Sequence, residues 1–104
     1  MANKVNLLIS LILVISCAVN PMTEADLYAK QGRYDTAAMI YQEILKEQPG
    51  NLEAKYQLAI CYYQMGEVEL AQSRFEEVTE LSSGYQEVNL MLEKCETILK
   101  PAKV

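Results

Sequence analysis

Beyond residue 20 the apolar positions of the chain recur at spacings of three and four. Ala37, Tyr41, Ile44 and Leu45 do so within residues 34–46, Leu58, Ala59 and Tyr62 within 52–65, and Ala71, Phe75 and Val78 within 68–81. Val88, Met91, Leu92, Cys95 and Leu99 repeat the pattern within 85–99, with Glu87, Glu93, Lys94 and Glu96 between them. This period is the one-sided stripe of an amphipathic helix. A further short helix is expected over about 24–31, with Thr23 as its N-cap and Glu24 and Asp26 in the first turn, where the helix dipole favours negative charge. Asn20 and Pro21 read as a break that leaves residues 18–22 as a tether. Gly32 and Gly66 permit backbone turns, Gln48-Pro49-Gly50-Asn51 and Ser82-Ser83-Gly84 separate further helices, and Pro101 ends the last. The expected fold class is all-α.

The second and fourth helices are copies of one pattern. At an offset of thirty-four residues Gly32 falls on Gly66, Ala37 on Ala71, Tyr41 on Phe75 and Ile44 on Val78, while Ala25 falls on Ala59 and Tyr28 on Tyr62. Glycine at the turn, alanine at a close helix crossing and an aromatic four residues later resemble the tetratricopeptide repeat, a helix-turn-helix unit that stacks into a solenoid. The resemblance covers about residues 22–100. It implies a domain over 23–100, with repeats at about 23–51 and 52–85, a capping helix at 86–100 and a tail at 101–104. It also implies that Glu53, Tyr56, Ile60, Tyr63 and Gln64 line a concave protein-binding groove, an aromatic and aliphatic row that faces solvent unless something binds it; the alternative is that a short array folds its own termini over this face. Tyr28, Tyr41 and Tyr62 are expected in the core. Two repeats fall short of the roughly three that such arrays generally need, so self-association or a permanent partner is expected to supply the missing interface.

The start of the chain carries a different signal. Lys4 and the amino terminus precede an apolar run from residue 5 to 15, interrupted by Asn6 and Ser10. Eleven residues are too few for a hydrocarbon core that needs roughly twenty, but they suit the hydrophobic region of a signal peptide. The run ends in Val14-Ile15-Ser16-Cys17, which resembles the bacterial lipobox. That resemblance implies removal of residues 1–16 and lipidation of Cys17 as the new first residue, with residues 17–22 as lipidated cysteine and tether. An ordinary cleaved signal, or an uncleaved anchor extended through Val19, are the alternatives. Ala18 is not the aspartate that favours inner-membrane retention in enteric-type lipoproteins, so the resemblance points to a periplasm-facing protein of the outer membrane.

Composition narrows the chemistry. The 104 residues allow a single domain and carry a formal charge of −5, which repels nucleic-acid phosphate. There is no histidine, and no acid pair, nucleophile motif or phosphate-binding glycine loop takes its place. No enzyme activity, cofactor or metal is expected. Cys61 and Cys95 are read as small buried hydrophobes; with Cys17 lipidated they would form an even pair in an oxidising compartment, compatible with a disulfide. Glu43, Glu47, Glu76, Glu77 and Glu80 are read as a solvated helix face. The sequence points to a lipid-anchored adaptor for a protein partner in envelope assembly or secretion. The other reading is a structural subunit, its repeats packing in a homo-oligomer or larger complex.

Overall fold

The computed structural model describes residues 20–82, 84 and 86–100. Among them five helices follow one another: α1 (Pro21–Lys30), α2 (Tyr34–Glu47), α3 (Leu52–Gln64), α4 (Val68–Leu81) and α5 (Gln86–Leu99). Each packs on the next in sequence, and no strand occurs among the described residues.

The turns inside the two hairpins have the same construction. Gly32 and Gly66 sit at φ +79° and +85°, the left-handed region that side-chain-bearing residues avoid. The amide of Gly32 donates to the Ala29 carbonyl at 3.0 Å and that of Arg33 to the Tyr28 carbonyl at 2.9 Å. Thirty-four residues later Gly66 donates to Tyr63 at 3.1 Å and Glu67 to Tyr62 at 2.9 Å. This pair of bonds closes a helix C-terminus and satisfies carbonyls that the helix itself leaves open.

The first helix begins earlier than the sequence reading places it. Asn20, not Thr23, is its N-cap: the Asn20 side chain accepts from the Met22 amide at 3.0 Å, and Pro21 occupies the first turn. Proline fits there because the first helical amides have no intrahelical acceptor and its fixed φ is already helical. Residues 21 and 22 therefore belong to the helix and not to a tether. Asn51 caps α3 in the same way, accepting from the Ala54 amide at 3.0 Å.

The core runs through the stack as one cluster. Ala25, Ala37, Ala59 and Ala71 expose no surface, and Tyr41, Phe75 and Val78 lie wholly buried between them. Fully burying an aromatic side chain contributes about 2–3 kcal/mol, so Tyr41 and Phe75 anchor the two repeats. Tyr62 is buried as well, while Tyr28 is half-buried beneath the Arg33 guanidinium, 4.9 Å from its ring centroid. On α5, Val88 and Cys95 are fully buried, and Met91 and Leu92 pack against the same cluster.

Candidate interaction groove

At 3.6 residues per turn α3 presents two distinct apolar faces. Leu58, Ala59, Cys61 and Tyr62 point into the core. Tyr56, Ile60 and Tyr63, spaced four and three apart, share the adjoining face. This second face is less open than the sequence reading expects. All three residues are half-buried and packed against the core cluster, and the Tyr56 ring lies 5.8 Å from that of Phe75 at a tilt of 58°. Tyrosine at position 56 therefore packs against the inner aromatic row as well as presenting an edge outward. Glu53 and Gln64, at the two ends of the row, are exposed, and Glu53 accepts a hydrogen bond from Gln57 at 3.0 Å.

The outer wall of this face comes from α5, which the sequence reading treats as a cap. A cap should be polar outside, yet Leu90 and Ile98 are 54% and 51% exposed. With Tyr63, Glu93, Lys94 and Thr97 they border an open depression of about 410 Å³. The signal that finds these residues is the same offset applied once more: Tyr56 falls on Leu90, Ile60 on Lys94, Tyr63 on Thr97 and Gln64 on Ile98. The buried positions follow the same rule, Ala54 falling on Val88 and Cys61 on Cys95. By register α5 is the first helix of a further repeat, and it extends the face begun by Tyr56 and Ile60.

The buried groups behind this face are held in their neutral forms. Burial pushes the Cys61 thiol up to about 11, with the Asp26 carboxylate adding to it, and burial raises the Cys95 thiol in the same direction. Both are free thiols. The Tyr41 hydroxyl donates to the Asp26 carboxylate, and its pKa is raised by burial first and by Asp26 second. Such groups do not ionise near neutral pH, which suits a packing role and not a reactive one.

Of the acidic positions read as a solvated face, Glu43, Glu47, Glu76 and Glu80 are exposed, but Glu77 is not simply solvated. It accepts from Arg74 Nη1 at 2.8 Å and lies 4.0 Å from Lys55 Nζ. Cys17 and the apolar run before it lie outside the described residues. Among the described residues no helix is long and apolar enough to cross a membrane, and no group of three or more acidic or cysteine side chains could hold a metal ion.

A family model described as Tetratricopeptide repeat matches residues 28–95. The match takes in α2, α3 and α4 whole, both glycine turns and α5 as far as its buried cysteine. No curated protein matches the chain.

Proposed function

The chain belongs to the tetratricopeptide-repeat family, whose repeats generally mediate protein–protein interaction, and from that premise we propose that it is an envelope adaptor that binds a protein partner on the face shared by α3 and α5. The observation that carries the reading is the open depression bordered by Tyr63 of α3 and the exposed Leu90 and Ile98 of α5, at the end of the helical face that Tyr56 and Ile60 share with Tyr63. Contiguous exposed apolar side chains next to anchored aromatics are the composition of an interface centre. Tyrosine gives large contact area at low conformational-entropy cost, and Tyr56 is already held by Phe75. Lys94 at the rim supplies one cation among otherwise acidic or neutral neighbours.

The location is part of the proposal. The lipobox-like Val14-Ile15-Ser16-Cys17 after a short apolar run supports a lipid anchor at Cys17, with the repeats held at the periplasmic side of the outer membrane. Mass spectrometry of protein purified from membranes is expected to show an acylated Cys17 as the first residue. An intact Met1 or an unmodified cysteine would remove the anchor from the reading.

The partner site is tested with a photo-crosslinking amino acid placed at Leu90 or Tyr63, and at Glu76 on α4 as a control. Adducts with a different protein, formed from the first two positions and not from the third, are expected. Adducts of twice the chain's own mass from Leu90 would replace the adaptor with the structural subunit. Equal adducts from all three positions would remove the groove from the mechanism.

A further inference from the structure

Three of the seven cations among the described residues, Lys46, Lys55 and Arg74, border one depression of about 320 Å³ on the other side of α3. Lys55, Leu58 and Tyr62 come from α3, and they lie roughly a third of a turn around the helix from Tyr56, Ile60 and Tyr63. The site shares no residue with the groove. We propose that it is a second binding site, for an acidic segment of a protein partner whose carboxylate meets Lys55 and Arg74 while a neighbouring apolar side chain rests on Leu45, Pro49 and Leu58.

Charge is the first argument. The lining holds three cations against one carboxylate, Glu77, on a chain whose formal charge is −5. Lys46 bonds Glu43 at 2.7 Å just outside the lining, but both side chains are about 70% exposed, so this contact holds neither in place. Lys55 is different. Its side chain is only 19% exposed, and its ion-pair partner among the described residues, Glu77, lies at the outer limit of 4.0 Å.

Unused donors are the second argument. A guanidinium has five N–H donors. Glu77 takes one at 2.8 Å from Nη1, and the side chain is still 39% exposed, so its outer nitrogens and not the enclosed Nε are the ones within reach. An incoming carboxylate can pair with the guanidinium and the Lys55 ammonium together, a geometry in which charge-assisted bonds are strong. The floor is pre-shaped: Leu58 is 3% exposed, and the hydroxyl of the largely buried Tyr62 accepts from Gln42 Nε2 at 2.6 Å. A second copy of this chain is the poorer occupant, because a whole body of net charge −5 meets the acidic surface around the depression, whereas a short segment meets only the cationic lining.

The test uses the full chain in detergent, isotope-labelled for NMR, titrated with a blocked six-residue peptide of alternating glutamate and leucine. Saturable shifts are expected at residues 55, 58, 62 and 74, with none at 60 and 63. The glutamine–leucine peptide and inorganic phosphate alone should each bind at least about tenfold more weakly, because each lacks one half of the recognition. Lys55→Gln and Arg74→Gln should weaken the glutamate peptide by about tenfold or more with circular dichroism unchanged. Should Arg74→Gln unfold, Arg74→Lys is expected to fold and still bind more weakly, because it loses the planar fork. Raising salt to about 0.3 M should weaken binding several-fold. Shifts confined to residues 60 and 63, equal binding of the glutamine peptide, equal binding of phosphate, or no shift at all would each overturn the proposal.

Discussion

Asp26 stands between two buried groups that must stay protonated, Tyr41 by a hydrogen bond and Cys61 by its charge. The consequence is a stability that falls in alkali. The Cys61 thiol, 9.0 in an open chain, is pushed up to about 11 by burial and by Asp26. The unfolded chain therefore loses this proton from about pH 9 while the folded chain keeps it, and folding grows less favourable between pH 9 and 11. Each unit is worth about 1.4 kcal/mol, so the loss is on the order of 2–3 kcal/mol by pH 11. Tyr41, whose pKa is also raised, adds to it from about pH 10. Melting temperatures between pH 7 and 11 should be level below pH 9 and fall above it, with the slope reduced in Cys61→Ala and Tyr41→Phe together. A level profile to pH 10.5 would show that the thiol and phenol reach water. The same crowding limits small residues. Ala71 exposes no surface, so Ala71→Leu should cost about 1–3 kcal/mol or more by overpacking, and an unchanged midpoint in a thermal melt would mean that the helix crossing can open. The small-on-small pairing of Ala37 with Ala71 was legible in the sequence because alanine at matching positions has few other meanings. The double role of Tyr56 was not: helical spacing assigns it to a face, but only the position of Phe75 shows how much of that face is already covered.

At the scale of the element, turns and caps decide where each helix stops. Gly66 has open space around its α-carbon, so a methyl group there meets no neighbour within 4 Å. Only the φ of +85° resists it. Gly66→Ala is accordingly expected to destabilise by about 1–2 kcal/mol through the backbone alone, without change in the packing of α3 on α4. Denaturant melts give the loss, and NMR shifts confined to the turn would attest the cause; a loss under a few tenths would mean the turn relaxes to a right-handed form. These glycines are the clearest marks in the sequence, since a repeated glycine between helical stripes implies a repeated positive φ. The start of α1 was harder to read. Asn20-Pro21 can end one helix or begin another, and the choice depends on whether the asparagine side chain turns forward to an amide, as it does to Met22. The face of α5 was harder still, because Leu90 and Ile98 look like part of a helix stripe until Val88 and Cys95 are known to occupy the buried side.

For the whole molecule, the sequential packing of helices sets how the chain opens. Each helix rests chiefly on its neighbours in sequence, α3 on both α2 and α4, and α1 and α5 at the two ends of the described stack on one helix each. In such an array stability is close to a sum of unit and nearest-neighbour terms, so the ends open at lower free energy than the middle. The burial pattern agrees. Leu27 is 55% exposed at the position where Cys61 and Cys95, on later first helices, are buried; its side of α1 meets none of the described helices in the way that α2 meets α3. Hydrogen exchange should therefore protect the amides of α3 most, those of α2 and α4 nearly as much, and those of α1 and α5 least. The gradient has a functional side, because the proposed groove joins the most protected helix to one of the least. A partner seated across Tyr63 and Leu90 would bind α5 to α3 and raise the protection of α5 far more than that of α1. The cationic depression between α2, α3 and α4 lies wholly within the protected middle, so an acidic peptide there should leave α5 exchange unchanged. Hydrogen exchange followed by mass spectrometry, on the free chain and with the photo-crosslinked partner, reads both effects. Uniform protection of all five helices would mean that the array opens as one unit, and equal slowing of α1 and α5 by the partner would place it somewhere other than the face that α3 and α5 share.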